Sequence, residues 1–193
     1  MASLYFFYGV MGSSKTAQAL MANYNYEYQG QHPLLVKTDT DTRDGKMIVR
    51  SRIGIERSCV LLSDICALPL SYMKQFDAII VDEIQFATKQ QIDFLSDIVD
   101  FAEVLVMCYG LRTDFQGNLF EGSKRLMEVA DKIQEIKTTC WCGKKATFNA
   151  RFDEDGIIKS GDQVQLGGND SYIGLCRLHY KMGAIKKVPG LMR

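Results

Sequence analysis

The sequence predicts an α/β fold, a mostly parallel sheet flanked by helices, and three observations carry that reading. Short apolar runs alternate with stretches of helical periodicity as far as residue 137. One run, Phe76-Asp77-Ala78-Ile79-Ile80-Val81, is almost continuously hydrophobic, as strands covered on both faces are. The first run, Leu4-Tyr5-Phe6-Phe7-Tyr8, passes through a loop of small residues directly into a helix-like segment. Beyond residue 138 cysteines, glycines and short β-like pieces replace the alternation. The expected organisation is therefore a main unit over 1–137 and a smaller one over 138–193.

The 193 residues suffice for one such domain with a small appendage. A balance of 23 basic against 23 acidic residues gives no overall attraction for nucleic acid or a membrane surface, so a small ligand is expected. No secretory leader and no stretch long enough to span a bilayer are found, which predicts a cytosolic protein. In that reducing setting the six cysteines are not read as disulfides.

In chain order, Gly9-Val10-Met11-Gly12-Ser13-Ser14-Lys15-Thr16 follows the phosphate-loop pattern G-x-x-x-x-G-K-[ST], with Ser14 in place of the second glycine. Backbone N–H groups of such a loop and the helix N-terminus behind it favour phosphate oxygens, and Lys15 can reach the outer phosphates. Residues 16–28 read as a helix with Ala17, Leu20, Met21 and Tyr24 on one face, ended by Gly30. Pro33-Leu34-Leu35-Val36-Lys37 reads as a strand. The polar segment 38–54, with Arg43, Arg50 and Arg52, reads as a mobile loop. A strand at Cys59-Val60-Leu61-Leu62 and a short helix over 68–74 follow, then the strand that ends in Asp82-Glu83. Thr88 is placed to cap a helix over 88–100 carrying Ile92, Leu95, Ile98 and Val99. A strand over 104–110, a helix over 123–130 and a strand over 132–137 complete the alternation. In a parallel sheet, ligands bind at the carboxyl ends of the strands, so the loop, Asp82-Glu83 and the stretch after Gly110 should share one edge.

Those residues suggest chemistry. The Thr16 hydroxyl and Asp82 are suited to a Mg²⁺ bound with a nucleoside triphosphate, and Glu83 to orienting or deprotonating a nucleophile, either water or a substrate hydroxyl. Cys140-Trp141-Cys142 and Cys176-Arg177-Leu178-His179 offer four soft or borderline ligands for a closed, structural Zn²⁺ site. Cys59, Cys66 and Cys108 lie in apolar runs and read as core. The segment 163–172, with Gly167-Gly168, can fold over a ligand or form a simple hairpin. A phosphate-loop ATPase with a zinc appendage and a zinc-ribbon nucleic-acid binder remain alternatives at this point.

Taken together, the loop with Met11, Asp82-Glu83-Ile84-Gln85-Phe86, Tyr109-Gly110-Leu111-Arg112-Thr113-Asp114-Phe115, Gly167-Gly168-Asn169 to Tyr172, and Cys176-Arg177-Leu178-His179 resemble the thymidine kinases of the bacterial and animal cytosolic type. The resemblance spans nearly the whole chain and is strongest to bacterial members. It implies a P-loop NTPase-like domain with a small zinc domain carrying a lasso loop. The implied activity is transfer of the ATP γ-phosphate to the 5′-hydroxyl of thymidine, deoxyuridine being a second acceptor. A homotetramer with feedback by dTTP is also implied. By the same resemblance, residues 9–16, Asp82, Glu83, Ile84, Gln85 and Arg43 would serve ATP, with Glu83 as general base. Met11, Phe86, Leu111, Phe115 and Phe120 would line the base pocket, while Gln165, Leu166 and Tyr172 would close over the nucleoside. Phe115 and Phe120 flank a glycine-containing loop after a buried strand, so their rings are expected to be exposed at the sheet edge.

Overall fold

The computed structural model describes residues 2–40, 47–163 and 171–185. The chain begins with β1 (Leu4–Tyr8), turns through the small-residue loop into α1 (Lys15–Tyr28) and returns as β2 (Pro33–Lys37). An antiparallel hairpin of β3 (Ile48–Arg50) and β4 (Glu56–Ser58) precedes β5 (Val60–Leu61). Two short helices, α2 (Leu62–Cys66) and α3 (Leu70–Met73), lead to β6 (Ala78–Asp82). Next come α4 (Lys89–Asp97), a π turn over Ile98–Ala102, β7 (Leu105–Gly110), α5 (Glu121–Val129) and β8 (Lys132–Glu135). The main sheet runs β5-β2-β6-β7-β1-β8, and every neighbouring pair in it is parallel.

Strand alternation divides the core between the two faces of this sheet. On β6, Ile79 and Val81 join the cluster that includes Leu4, Phe6, Val106 and the α4 residues Ile92 and Leu95. Ala78 and Ile80 face the other way, toward Ala19 and Leu20 of α1. Because all five residues of β6 are buried, the strand reads as an unbroken apolar run and not as an alternating one. The register places Tyr8 opposite Gly110, Val81 opposite Cys108 and Lys37 opposite Asp82. The loops after β1, β6 and β7 therefore leave from one edge.

The C-terminal part forms its own antiparallel sheet, in the order β10-β9-β11, from β9 (Phe148–Phe152), β10 (Ile157–Ile158) and β11 (Tyr172–Leu175), followed by α6 (Arg177–Met182). Its small core, Ala146, Ala150, Leu175 and Tyr180 with Cys140 and Cys176, also takes in Val10 from the loop after β1. The two sheets are thus joined at the site itself.

Several expectations need correction. Residues 48–50 of the supposed mobile loop form β3, because Ile48-Val49 is β-branched and Val49 is buried, and Gly54 at φ 85° turns the hairpin. On α1 the buried residues are Lys15, Ala17, Ala19, Leu20 and Asn23; Met21 and Tyr24 face outward. The helix has rotated the face predicted from apolar residues alone, since a close sheet contact selects small side chains. The strand predicted at residues 59–62 yields at Leu62 to α2. Thr88 does cap α4: its hydroxyl accepts from Gln91 N–H at 3.3 Å, and the Gln91 side chain accepts from Thr88 N–H at 3.0 Å.

Candidate active site

The loop after β1 is held from both sides. Gly9 N–H donates to the Gly110 carbonyl at 3.2 Å, and Ser13 N–H to the Val10 carbonyl at 3.2 Å. Ser14, where the pattern has its second glycine, takes φ 65°, ψ 22°. That left-handed backbone suits glycine, and a side chain there costs on the order of 1 kcal/mol. The α1 ladder begins at Gln18 N–H to the Ser14 carbonyl, 3.0 Å. The first N–H groups of such a helix have no partner within it and favour anions. Lys15 is buried and lies across the loop, its Nζ donating to the Val10 carbonyl at 2.9 Å. Met11 differs from the expectation for a cradle residue: its N–H donates to Asn149 Oδ1 at 2.8 Å and is engaged with the C-terminal sheet.

Asp82, at the end of β6, is buried and accepts a hydrogen bond from the Thr16 side chain. Burial and the adjacent Glu83 carboxylate raise its proton affinity well above the usual carboxylate range, against the pull of Thr16 and Lys15. Glu83 also has a left-handed backbone, φ 53° and ψ 34°. The Thr38 hydroxyl donates to its carbonyl at 3.2 Å, and Gln85 Nε2 donates to its carboxylate at 2.5 Å. Gln85 Oε1 in turn accepts from Leu111 N–H at 2.9 Å. That contact requires Gly110, because a Cβ there would stand 2.6 Å from Gln85 Oε1. One buried amide therefore sets the Glu83 carboxylate relative to the loop after β7. Ile84, grouped with the ATP residues by resemblance, has no exposure and packs in the main core.

The aromatic residues of the next loop are buried, contrary to the expected exposure at the sheet edge. Phe115 is 1% exposed because the Arg151 guanidinium lies 4.1 Å over its ring. Phe120 is buried and meets the half-buried Phe86 edge-on at 5.8 Å. Asp114 Oδ1 accepts from the N–H groups of Gln116 and Asn118, each at 2.9 Å, and Tyr180 OH donates to the Phe115 carbonyl at 2.6 Å. Tyr172 is half-buried at the start of β11. Arg43, Gln165 and Leu166 lie outside the described residues.

Two residues not anticipated from sequence tie this edge together. Asn149 is buried in β9; besides accepting from Met11, its Nδ2 donates to the Thr113 carbonyl at 2.7 Å. The available signal was an asparagine between two apolar residues in the run Phe148–Phe152, a position that asparagine usually avoids unless its amide is satisfied. Arg151, two residues on, covers Phe115.

Cys140, Cys142, Cys176 and His179 form the second constellation, with ligand atoms all within 4.8 Å of one another. Cys142 and Cys176 sulfurs are 4.0 Å apart, and His179 Nδ1 lies 3.4 Å from Cys140 Sγ and 3.5 Å from Cys176 Sγ. A tetrahedral Zn²⁺ with sulfur at about 2.3 Å separates its sulfurs by about 3.8 Å, close to the spacings here, so the donor set fits the ion. Burial would raise the Cys140 thiol, but hydrogen bonds from the Cys142 and Cys176 backbone and from His179 outweigh it and bring it down to about 6, favouring the thiolate a metal needs. By contrast burial pushes Cys66 up to about 11 and Cys108 higher still, as befits inert thiols.

The family model described as Thymidine kinase matches residues 2–180. The chain belongs to the thymidine kinase family. The thymidine kinase of Pasteurella multocida strain Pm70 is 45% identical over 187 residues, covering 94% of this chain and 97% of that protein. That of Haemophilus influenzae strain KW20 Rd is 46% identical with the same coverage, and that of Streptococcus pyogenes serotype M3 is 46% identical over 184 residues, 93% of this chain and 97% of that one. Among thymidine kinases, then, similarity extends across both sheets and through the Cys/His cluster.

Proposed function

We propose that this protein transfers the γ-phosphoryl group of ATP to the 5′-hydroxyl of thymidine, with deoxyuridine as a second acceptor, supplying thymidine monophosphate for DNA synthesis. The observation that carries the reading is the acid pair at the loop. Asp82 is hydrogen-bonded to Thr16, and next to it Glu83 is clamped between Thr38 and Gln85. A buried carboxylate beside a phosphate loop needs a cation; a fixed, half-buried carboxylate one residue further on suits a proton acceptor.

In this reading residues 9–16 cradle the triphosphate, with Lys15 released from Val10 to the outer phosphates, and Arg43 approaches from the 41–46 segment. Thr16 and Asp82 would hold Mg²⁺, which when bound screens the β- and γ-phosphate charge. The thymidine 5′-oxygen forms the new bond to the γ-phosphorus while its proton passes to Glu83, and the bond to the β-phosphate oxygen breaks to leave ADP. Met11, Phe86 and Leu111 would line the nucleoside pocket, with the buried Phe115 and Phe120 as its backing, closed by Gln165, Leu166 and Tyr172 from the loop between Cys142 and Cys176. Cys140, Cys142, Cys176 and His179 would hold Zn²⁺ as a structural clamp on that loop. Residues 1–137 would act as the kinase domain and 138–193 as the lasso domain. The protein would work in the cytoplasm as a homotetramer restrained by dTTP. No described helix is long and apolar enough to cross a membrane.

Glu83→Gln keeps the shape and the Gln85 neighbour but removes the proton acceptor. Turnover should fall about a hundredfold or more while ATP binding persists. Unchanged kcat would remove Glu83 from this role, and ADP release that does not require thymidine would replace the kinase reading with an ATPase.

A further inference from the structure

Arg151 has a feature that ordinary core packing leaves unexplained: it is 7% exposed, yet its Nε has no hydrogen-bond partner among the described residues. A buried guanidinium is normally saturated with acceptors. Here its plane lies 4.1 Å over Phe115, and Nη1 donates to the Asp162 carbonyl at 3.2 Å. A Cβ on Gly161 would stand 2.7 Å from Nη2, and Gly161 has φ 128°. The register adds the other side: on β9, Arg151 is opposite Ile158 of β10 and Tyr172 of β11. The chain thus leaves the small sheet beside Arg151 near Asp162 and re-enters beside it at Tyr172. The outgoing arm is also tied to the 114–116 turn, through Gln163 Nε2 to Asp114 Oδ2 at 3.0 Å and Gln116 Nε2 to the Gly161 carbonyl at 3.3 Å.

We infer that Arg151 is a positioning residue, a collar that fixes Gly161 and Asp162 on one side and Tyr172 on the other against Phe115, assigned above to the nucleoside pocket. The assignment rests on the kinase reading only for what the pocket holds. A planar cation is needed because one face must pack on the ring while the edge reaches a carbonyl, and lysine offers no such plane.

Arg151→Met keeps the length and loses the charge and plane. The KM for thymidine should rise about tenfold, the KM for ATP should change less than twofold, and Arg151→Lys should restore only part of the loss. Gly161→Ala, at an exposed position, displaces the guanidinium without removing it and should shift thymidine KM in the same direction. Amide hydrogen exchange on the intact protein supplies a readout independent of catalysis: residues 161–163 and 172–175 should exchange faster in Arg151→Met, and β1 should not. Should Arg151→Met fold poorly, Gly161→Ala carries the same test. Thymidine KM unchanged in Gly161→Ala, or both KM values rising together in Arg151→Met, or exchange increased equally in β1, would overturn the collar. A wild-type protein that does not phosphorylate thymidine would sink the kinase reading, and the exchange experiment would still decide the collar.

Discussion

Ser14 and Glu83 both have positive φ, 65° and 53°, and each is held there by different neighbours. Ser14 is fixed by the loop it closes, between the Ser13-to-Val10 turn and the first ladder bond of α1. Glu83 is fixed by hydrogen bonds to its own carbonyl and carboxylate. Strain without a chemical partner can be removed, so Ser14→Gly should stabilise the protein by about 1 kcal/mol, less the flexibility glycine adds to the unfolded chain. For a chain of this size that is a rise in Tm of roughly 2–4 °C by calorimetry, with ATP KM held within about twofold. A lower Tm would show that the Ser14 side chain contributes a contact that outweighs the strain. The Ser14 conformation was legible in the sequence, since a pattern that wants glycine states the backbone it wants. Asn149 and Arg151 were not, because Met11, Thr113 and Phe115 come from distant parts of the chain and no local spacing announces them.

The elements themselves divide in the same way. β2, β6 and β7 were read from apolar runs because burial on both faces leaves no alternative hydrophobic pattern. β3 was missed because one buried valine in a polar segment does not outweigh its charged neighbours, and the orientation of α1 was missed because alanine contributes little to an apolar stripe yet permits close packing. The Cys/His knuckle was legible from spacing, but the role of Trp141 was not. The indole stacks on the His179 ring at 4.1 Å and 13°, and its Nε1 donates to the Ala184 carbonyl at 3.2 Å beyond α6. It is the only tryptophan in the sequence. Stripping metal with a chelator should therefore change tryptophan emission in step with metal release. The same treatment should raise thymidine KM more than ATP KM if, as proposed, the knuckle anchors a loop that closes over nucleoside. A larger effect on ATP would detach the knuckle from that loop.

At the scale of the molecule, the rotation of α1 leaves an outward stripe of Met21, Tyr24 and Tyr28, exposed by 55%, 51% and 75%. Tyr24 and Tyr28 stack on one another at 6.0 Å. An exposed stripe of this kind suits a contact surface, and in the proposed tetramer it would be covered. Tyr24→Glu combined with Tyr28→Glu should lower the assembly state in sedimentation while the fold survives; a tetramer that persists would place its contacts elsewhere.

The Asn149 amide accepts from a segment near the start of the chain and donates to one past its middle, both half-buried there. Until that residue has left the ribosome, the nascent polypeptide holds Met11 and Thr113 with their polar groups turned to water and Val10 with no apolar neighbours from the smaller sheet. This edge of the molecule is consequently finished last, by residues made after every strand of the larger sheet: a chain ended before Asn149 keeps the Gly9-to-Gly110 and Ser13-to-Val10 bonds of the loop but lacks the contact that holds Met11.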